Sequence, residues 1–352
     1  MAYSINAKDY FNTKLYTGNG SANAITGVGF QPDFVWQKSR SAGEGHGLFD
    51  VLRGVTNRLQ SHTSGAQSSQ AGSLTAFGSD GFTVGGSPNN DAANGNGQTF
   101  VSWNWKANGQ GSSNTNGTIN STYTSANTTS GFSIVSYTGN GSAGATVGHG
   151  LGQTPACFIT KRLSGTSSWG MYHQSTGAGG FMESNSSNAL QSNIAYFNNT
   201  APTSSVFSIG TDSINNTSGS TYIAYCFAEK TGFSKFGKYL GNGDANGSFI
   251  YTGFKPAMLI IKCSDTDGEH YHIHDTKRQT YNVDNRYLLV NTADAESTSS
   301  SYAIDILSNG FKARTTNNST NGTSGGSGRS YIYLAFAEAP LVGSNNVPCT
   351  AR

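Results

Sequence analysis

Two Asp-to-Arg pairs with equal spacing are the first residues whose side chains could do chemistry. Asp50 and Arg53 stand in LFDVLRG, and Asp275 and Arg278 stand in IHDTKRQ. Such a pair can contact a polar ligand. It can also stabilise a turn, in which the carboxylate accepts backbone N–H groups and the arginine covers a strand edge. The corresponding position between the two pairs is His173, so the carboxylate is not kept throughout. We therefore interpret both pairs as structural turns.

Three alternating histidines, His270, His272 and His274, are the second arrangement with chemical potential. Alternate residues of a β-strand lie on the same face, and neighbouring imidazoles could bind zinc or nickel weakly. No carboxylate or second cysteine accompanies them at the ligand spacing of a zinc site. We expect a polar strand face and no cofactor, with a weak metal site as the alternative.

Motifs of the common enzyme classes are not evident. Glycoside hydrolysis needs two opposed carboxylates, and the chain has only 19 acidic residues. No GxSxG elbow is present, and no GxxxxGK[ST] loop precedes a helix. The sequence therefore predicts a protein that is not an enzyme, with a polysaccharide depolymerase as a minor alternative.

Aromatic rings at loops and strand ends suggest binding rather than catalysis. Rings stack on the faces of sugars while amides bond to hydroxyl groups, and most other rings must fill the core. The candidates for ligand contact are Trp169, Tyr172, His173 and Tyr271.

An internal repeat determines how these residues are positioned. YTGNG or YLGNG begins at Tyr16, Tyr137 and Tyr239, and each copy leads to a proline and a short apolar run. Each copy closes with an apolar strand: TFVSWNWKA, TYIAYCFAE and SYIYLAFAE. Three anchors in constant order and near-constant spacing indicate three copies of one structural unit.

The segments within each copy read as short strands. The closing segments present two apolar faces, which is typical of a central strand. Asp80-Gly81 and Asn309-Gly310 are hairpin signals. The predicted fold is all-β, with three tandem β-sandwich, jelly-roll-like units. We place the units at 1–107, 131–230 and 231–338, a flexible Gly/Ser/Asn/Thr-rich linker at 108–130, and a C-terminal tail at 339–352.

The composition excludes several classes of protein. Only 11% of the 352 residues are charged and the net charge is +2, without the basic excess of a nucleic-acid binder. The 4 Trp, 17 Tyr and 19 Phe argue against disorder. No apolar run is long enough to span a membrane, and the first residues lack the apolar stretch of a signal peptide. Four scattered cysteines indicate reduced thiols, so we expect synthesis in a cytoplasm.

The chain resembles a family of tailed-phage virion proteins, common in marine phages and often labelled tail-fibre or structural proteins. The matching stretches cover nearly the whole chain: YFNTKLYTGNG, QPDFVWQKSR, LFDVLRG, SDGFTV, VSWNWKA, YIAYCFAEKTGFSKFGKY, DTKRQTYNVDNRYL, LSNGFK and YIYLAFAE. The resemblance implies a virion component with no catalytic residues.

We therefore expect a structural protein on the virion surface, of tail-fibre or spike type, that contacts host glycans and other virion proteins. The first repeat begins near residue 1 and no heptad or collagen-like shaft follows, so a capsid decoration or head-fibre protein is the alternative. The low charge suits a surface packed against copies of itself. We expect a homo-oligomer, by analogy a trimer.

Overall fold

The computed structural model describes residues 5–86 and 91–340, and within them the chain is almost entirely β-structure. The predicted all-β fold is thus confirmed: antiparallel sheets pack face to face. The helical segments of the described residues are single turns: 3₁₀ turns at Ala7–Asp9 and Ser300–Tyr302, α1 (Asp91–Asn94) and α2 (Ile194–Phe197).

The first third of the chain forms a main sheet and a small sheet. The main sheet has the strand order β1-β9-β3-β4, and β2-β8-β7 form the small one. The strands are β1 (Phe11–Thr17), β2 (Asn23–Thr26), β3 (Phe34–Ser39), β4 (Gly47–Asp50), β5 (Asn57–Arg58), β6 (Ser68–Ser69), β7 (Leu74–Gly78), β8 (Gly81–Val84) and β9 (Thr99–Trp105).

The middle third has a seven-stranded main sheet, β10-β11-β18-β13-β14-β15-β16, and a small β12-β17 pair. The strands are β10 (Tyr123–Asn127), β11 (Phe132–Thr138), β12 (Ala145–Gly148), β13 (Cys157–Arg162), β14 (Trp169–His173), β15 (Gly180–Glu183), β16 (Gln191–Ser192), β17 (Val206–Ile209) and β18 (Thr221–Phe227).

The last third has a main sheet in the order β19-β29-β21-β22-β23-β24 and a small sheet, β20-β26-β25. The strands are β19 (Ser234–Leu240), β20 (Phe249–Tyr251), β21 (Phe254–Cys263), β22 (His272–Asp275), β23 (Arg286–Leu289), β24 (Ser297–Thr298), β25 (Ile304–Leu307), β26 (Gly310–Ala313), β27 (Thr323–Ser324), β28 (Ser327–Gly328) and β29 (Ser330–Pro340).

One strand order recurs in the three main sheets: β1-β9-β3-β4, β11-β18-β13-β14 and β19-β29-β21-β22. In each, the strand that closes the sequence repeat lies between the first and the third strand of that repeat, and the second strand belongs to the small sheet. The predicted hairpins are present, with β7 joined to β8 and β25 joined to β26 through two-residue turns. That the chain consists of three tandem β-sandwich, jelly-roll-like units stays a prediction.

The repeated GNG motifs have a steric role. A Cβ on the first glycine of each would overlap a backbone carbonyl oxygen of a loop near the end of the same third of the chain, so only glycine fits. The next residue's N–H donates to a buried asparagine of that loop, at 2.9–3.0 Å: Asn19 to Asn94, Asn140 to Asn216, and Asn242 to Asn321.

The three main sheets share one apolar core, whereas three tandem β-sandwich units would each enclose a core of their own. Trp105, Phe227 and Phe336, from the three closing strands, contact one another with ring centroids 5.4–6.4 Å apart. Alternate residues of β18 face this core and a second cluster under the small β12-β17 sheet. The closing strands are therefore buried on both faces, as their two apolar faces predicted.

Residues 108–130 are not a flexible linker. Strand β10 extends the middle sheet, and Ile119 and Ser121 are buried. The segment is poor in apolar residues, but its polar side chains bond to the backbone, as Ser125 Oγ does in accepting from Asn108 N at 2.9 Å. Hydrogen bonding rather than apolar burial orders it. Of the predicted tail at 339–352, residues 339 and 340 end β29, and 341–352 lie outside the described residues.

The cysteines within the described residues are free and buried. Burial raises the pKa of all three thiols, that of Cys263 to about 11. We refer to them below as the buried thiols: Cys157, Cys226 and Cys263.

Candidate functional site

The four residues predicted to contact a ligand are core residues. Trp169, Tyr172, His173 and Tyr271 are at most 5% exposed, so none can stack on a sugar at the surface. Trp169, Tyr172 and His173 lie in β14, which is covered on both faces. The indole of Trp169 donates to the carbonyl of Gln60 at 3.0 Å. The sequence placed these rings at strand ends, but a distant part of the chain covers them.

The three alternating histidines do not share one strand face. Strand β22 begins at His272, and His270 precedes it, with its Nδ1 bonded to the Asn291 amide at 2.9 Å. His272 and His274 are buried and contact each other, Nδ1 to Nε2, at 3.0 Å. Burial, and then His274, hold the pKa of His272 well below its usual value. Among the described residues no group of three or more His, Cys, Asp or Glu side chains could hold a metal ion.

Both Asp-to-Arg pairs form turns of the kind expected from the sequence. Asp50 Oδ1 accepts the backbone N–H groups of Leu52 and Arg53 at 3.1 and 3.0 Å. Its Oδ2 lies 2.5 Å from Arg53 Nε. Asp275 repeats this geometry with Lys277 and Arg278. The four side chains are nearly or fully buried, so these charges hold backbone in place rather than meeting solvent.

Each turn is also tied to another main sheet, a feature that the sequence did not reveal. Tyr225 Oη, in the middle sheet, donates to Asp50 Oδ2 at 2.7 Å. Trp103 Nε1, in the first sheet, donates to Asp275 Oδ2 at 3.1 Å. Trp103 and Tyr225 occupy the same place, four residues after Thr99 and Thr221. Aligning the closing strands would have pointed to this shared position, but not to its partner.

His173 occupies, in the middle third, the turn position that Asp50 and Asp275 hold in the other two, and it forms its tie through an imidazole instead of a carboxylate. Its Nδ1 accepts the N–H of Ser175 at 3.1 Å, as an aspartate would, and Nε2 lies 3.3 Å from the Tyr333 carbonyl oxygen in the last sheet. Because Nδ1 accepts, the proton resides on Nε2. Burial lowers the pKa of His173 to about 4. The ties therefore run in a closed cycle, from first to middle, middle to last and last to first sheet.

Glu296 adds a charged link between the first and last sheets. Its carboxylate accepts from Arg40, Arg278 and Arg286, with ion-pair distances of 2.9 Å, 3.2 Å and 3.2 Å. One carboxylate thus gathers three guanidinium groups at the edge of the shared core. An apolar cavity of about 40 Å³ lies within that core, between rings such as Trp36, Trp105 and Phe336. It offers almost no polar group to a ligand.

An open cleft of about 350 Å³ between the middle and last thirds is the strongest candidate site. We call it the Tyr251 cleft. It combines an exposed ring with fixed polar groups, as binding sites for small polar ligands commonly do. Its lining is Gln153, Glu229, Lys230, Thr231, Gly232, Ser234, Lys235, Tyr251, Thr252 and Gly253.

Glu229 is the most firmly held polar group of this cleft. Its Oε1 accepts the backbone N–H of Phe236 at 2.9 Å and the amide of Gln174 at 3.0 Å. Its Oε2 pairs with Lys235 Nζ at 3.2 Å, and Gln153 Nε2 donates to the Glu229 carbonyl oxygen at 2.9 Å. The carboxylate is therefore positioned before any ligand arrives.

Tyr251 supplies the ring, and its side chain is 59% exposed. It pairs with Gly310 in the small sheet, as Thr26 pairs with Gly81 in the first third. The register of the middle third places Gly148 there. A tyrosine thus stands where the other two thirds have Thr and Gly. Comparing the three repeats position by position would have singled it out.

The Tyr251 cleft is made of residues that the sequence did not suggest as a site. A family model described as a domain of unknown function (DUF7483) matches residues 6–340. No curated protein and no solved structure matches the chain. Over the described ranges, none of the helices has the length and apolar character needed to cross a membrane.

Proposed function

Because the chain belongs to the DUF7483 family, whose description states no activity, we propose a function from its geometry and from the resemblance of its sequence. It is a non-enzymatic structural protein on the surface of a tailed-phage virion, of tail-fibre or spike type, and contacts glycans of the host surface. Its partners are other virion proteins and further copies of itself.

The observation that carries this proposal is the closed cycle of ties between the three main sheets. Asp50 with Tyr225, His173 with Tyr333, and Asp275 with Trp103 join sheets around one apolar core. All three hydrogen bonds are buried, and the two that a carboxylate accepts are charge-assisted, so together they fix the relative orientation of the sheets. A body braced in this way resists shear between its parts, which suits a component of a particle exposed to solvent and to host collisions.

The use of the buried carboxylates supports a structural role over a catalytic one. A catalytic acid or base must reach the proton that it transfers. Asp50 and Asp275 are at most 1% exposed, and each is engaged by an arginine, two backbone N–H groups and an aromatic donor. Little acceptor capacity remains for a substrate.

Electron microscopy of purified virions labelled with Fab fragments against the folded protein tests the proposal. Label at the tail supports the tail-fibre or spike function. Label on the head supports the alternative, a capsid decoration or head-fibre protein. Absence of the protein from particles, shown by mass spectrometry of the same preparation, refutes both.

Two further measurements test the remaining parts of the proposal. Incubation with host polysaccharide and an assay of new reducing ends tests for depolymerase activity; cleavage that is lost in Asp50→Asn or Asp275→Asn refutes the non-enzymatic role. Sedimentation velocity tests self-association, since a trimer has three times the 36.9 kDa mass of the chain.

A further inference from the structure

We propose that the Tyr251 cleft binds an acidic saccharide, with a pyranose face on the Tyr251 ring and a uronic carboxylate on Lys230. This inference deepens the proposed host-contact function and rests on it.

The Tyr251 ring offers an apolar platform of fixed position. It projects from β20, which is paired with β26 over its whole length. The residue opposite, Gly310, has no side chain, and a Cβ there would overlap the Ile250 carbonyl oxygen. The equivalent positions hold Thr26 and Gly148, so the fold does not require a ring here. The C–H face of a pyranose packs well on an aromatic ring, and such packing removes the exposed apolar surface of Tyr251 from water.

The polar wall of the cleft matches the edge of a sugar. The Glu229 carboxylate can accept about four hydrogen bonds, and Phe236 N, Gln174 and Lys235 supply three. One acceptor position remains for a sugar hydroxyl. The Gln153 side chain donates to the Glu229 carbonyl oxygen through Nε2, which leaves its own Oε1 to accept a second hydroxyl.

The charge balance of the cleft favours an anionic ligand. Its lining carries Lys230 and Lys235 against Glu229. Lys235 is paired with Glu229, whereas the Lys230 ammonium has no hydrogen bond or ion pair to the described parts of the chain. Partial burial lowers the pKa of Lys230, because burial disfavours the charged form of an unpaired lysine. A ligand carboxylate would supply the counter-charge, and a uronic acid presents one at the edge of its ring.

Two trisaccharides with the same skeleton test this inference. Tri-β-1,4-glucuronic acid and cellotriose differ only in carboxylate against hydroxymethyl at C6. Isothermal titration at low ionic strength, where ion pairs are least screened, gives the Kd of each for the full chain. We expect the glucuronic trisaccharide to bind about tenfold more tightly, which corresponds to about 1.4 kcal/mol, because only its carboxylate can pair with Lys230.

Three variants separate the contributions. Tyr251→Ala should weaken binding of both trisaccharides about tenfold or more, because both lose the stacked ring. Lys230→Met should abolish the preference for the acidic one and leave cellotriose unchanged. Tyr281→Ala is the matched control, because Tyr281 is 76% exposed and does not line the cleft. It should change neither Kd.

Equal affinity for the two trisaccharides, or binding that Tyr251→Ala leaves unchanged, overturns the inference. Lack of binding by both up to about 10 mM does so as well. The Fab labelling of virions does not depend on Tyr251. Failure of this site and failure of the proposed virion function are therefore distinguishable.

Discussion

Replacement of Tyr225 by Phe tests the ties between sheets at a single hydroxyl group. Tyr225 is 2% exposed and stacks on Phe34, with ring centroids 4.4 Å apart. Tyr225→Phe keeps this ring contact and removes the hydroxyl, which donates to Asp50 Oδ2 at 2.7 Å and accepts a longer hydrogen bond from Arg53 Nη2 at 3.4 Å. Hydrogen bonds to charged groups contribute about 1.5–3 kcal/mol. We expect the free energy of unfolding to fall by that amount.

Urea unfolding followed by tryptophan fluorescence measures this change. Tyr123→Phe is the matched control, because Tyr123 is half-exposed and its hydroxyl bonds to no residue in the described ranges; it should change stability by less than about 0.5 kcal/mol. A double-mutant cycle with Asp50→Asn isolates the coupling, which should be at least about 0.5 kcal/mol for residues in contact. If Tyr225→Phe costs no more than Tyr123→Phe, this tie does not stabilise the protein and the bracing argument fails.

Three other predictions concern acid stability, steric fit and thiol burial. Folding lowers the pKa of His173 from its unfolded value near 6.5 to about 4. The free energy of unfolding that depends on neutral His173 is therefore fully present above pH 6.5. It is lost as the pH falls towards 4, by up to about 3 kcal/mol. Urea unfolding across this pH range measures how the free energy of unfolding changes with pH. His173→Asn should make this dependence weaker, because asparagine does not titrate but can still accept the turn N–H. An unchanged pH dependence would contradict the role of His173. Gly310→Ala should lower the free energy of unfolding by about 1–3 kcal/mol through overlap with backbone, whereas Gly43→Ala, which has room for a Cβ, should change it little; equal effects would show that the site is not tight. In a Cys349→Ser background the buried thiols should not react with Ellman's reagent until the protein unfolds, and fast reaction of native protein would contradict their burial.

Much of the local structure could be predicted from the sequence because it depends on neighbouring residues. The Asx-Gly turns specified the β7-β8 and β25-β26 hairpins, and Asp50 and Asp275 cap the turns that their spacing suggested. The predicted linker at 108–130 failed for a different reason. Its order comes from hydrogen bonds within the segment and to neighbouring strands, such as those from Ile119 N to Thr146 O and from Thr122 N to Ser136 O. The residue composition of the segment indicates only how much apolar surface it can bury.

The candidate site could not be predicted in the same way. Trp169 and Tyr271 have the residue type of a sugar contact but are buried, whereas Tyr251 was not singled out and is exposed. The type of an aromatic residue does not tell whether a sheet from another third of the chain covers its ring. Only the internal comparison with Thr26 and Gly148 carries the signal, and it requires the register of each small sheet.

The sequence by itself determined the all-β class of structure, because two-residue periodicity and turn chemistry act over a few residues. Tertiary structure alone decided that the three main sheets share one core, and that Asp50, His173 and Asp275 join them in a cycle. It also decided that Tyr251 remains open beside Glu229 and Lys230. The shared core and the cycle of ties depend on contacts between residues more than 100 positions apart, which local pattern does not encode. The exposure of Tyr251 depends on how the small sheet packs, which local pattern does not encode either.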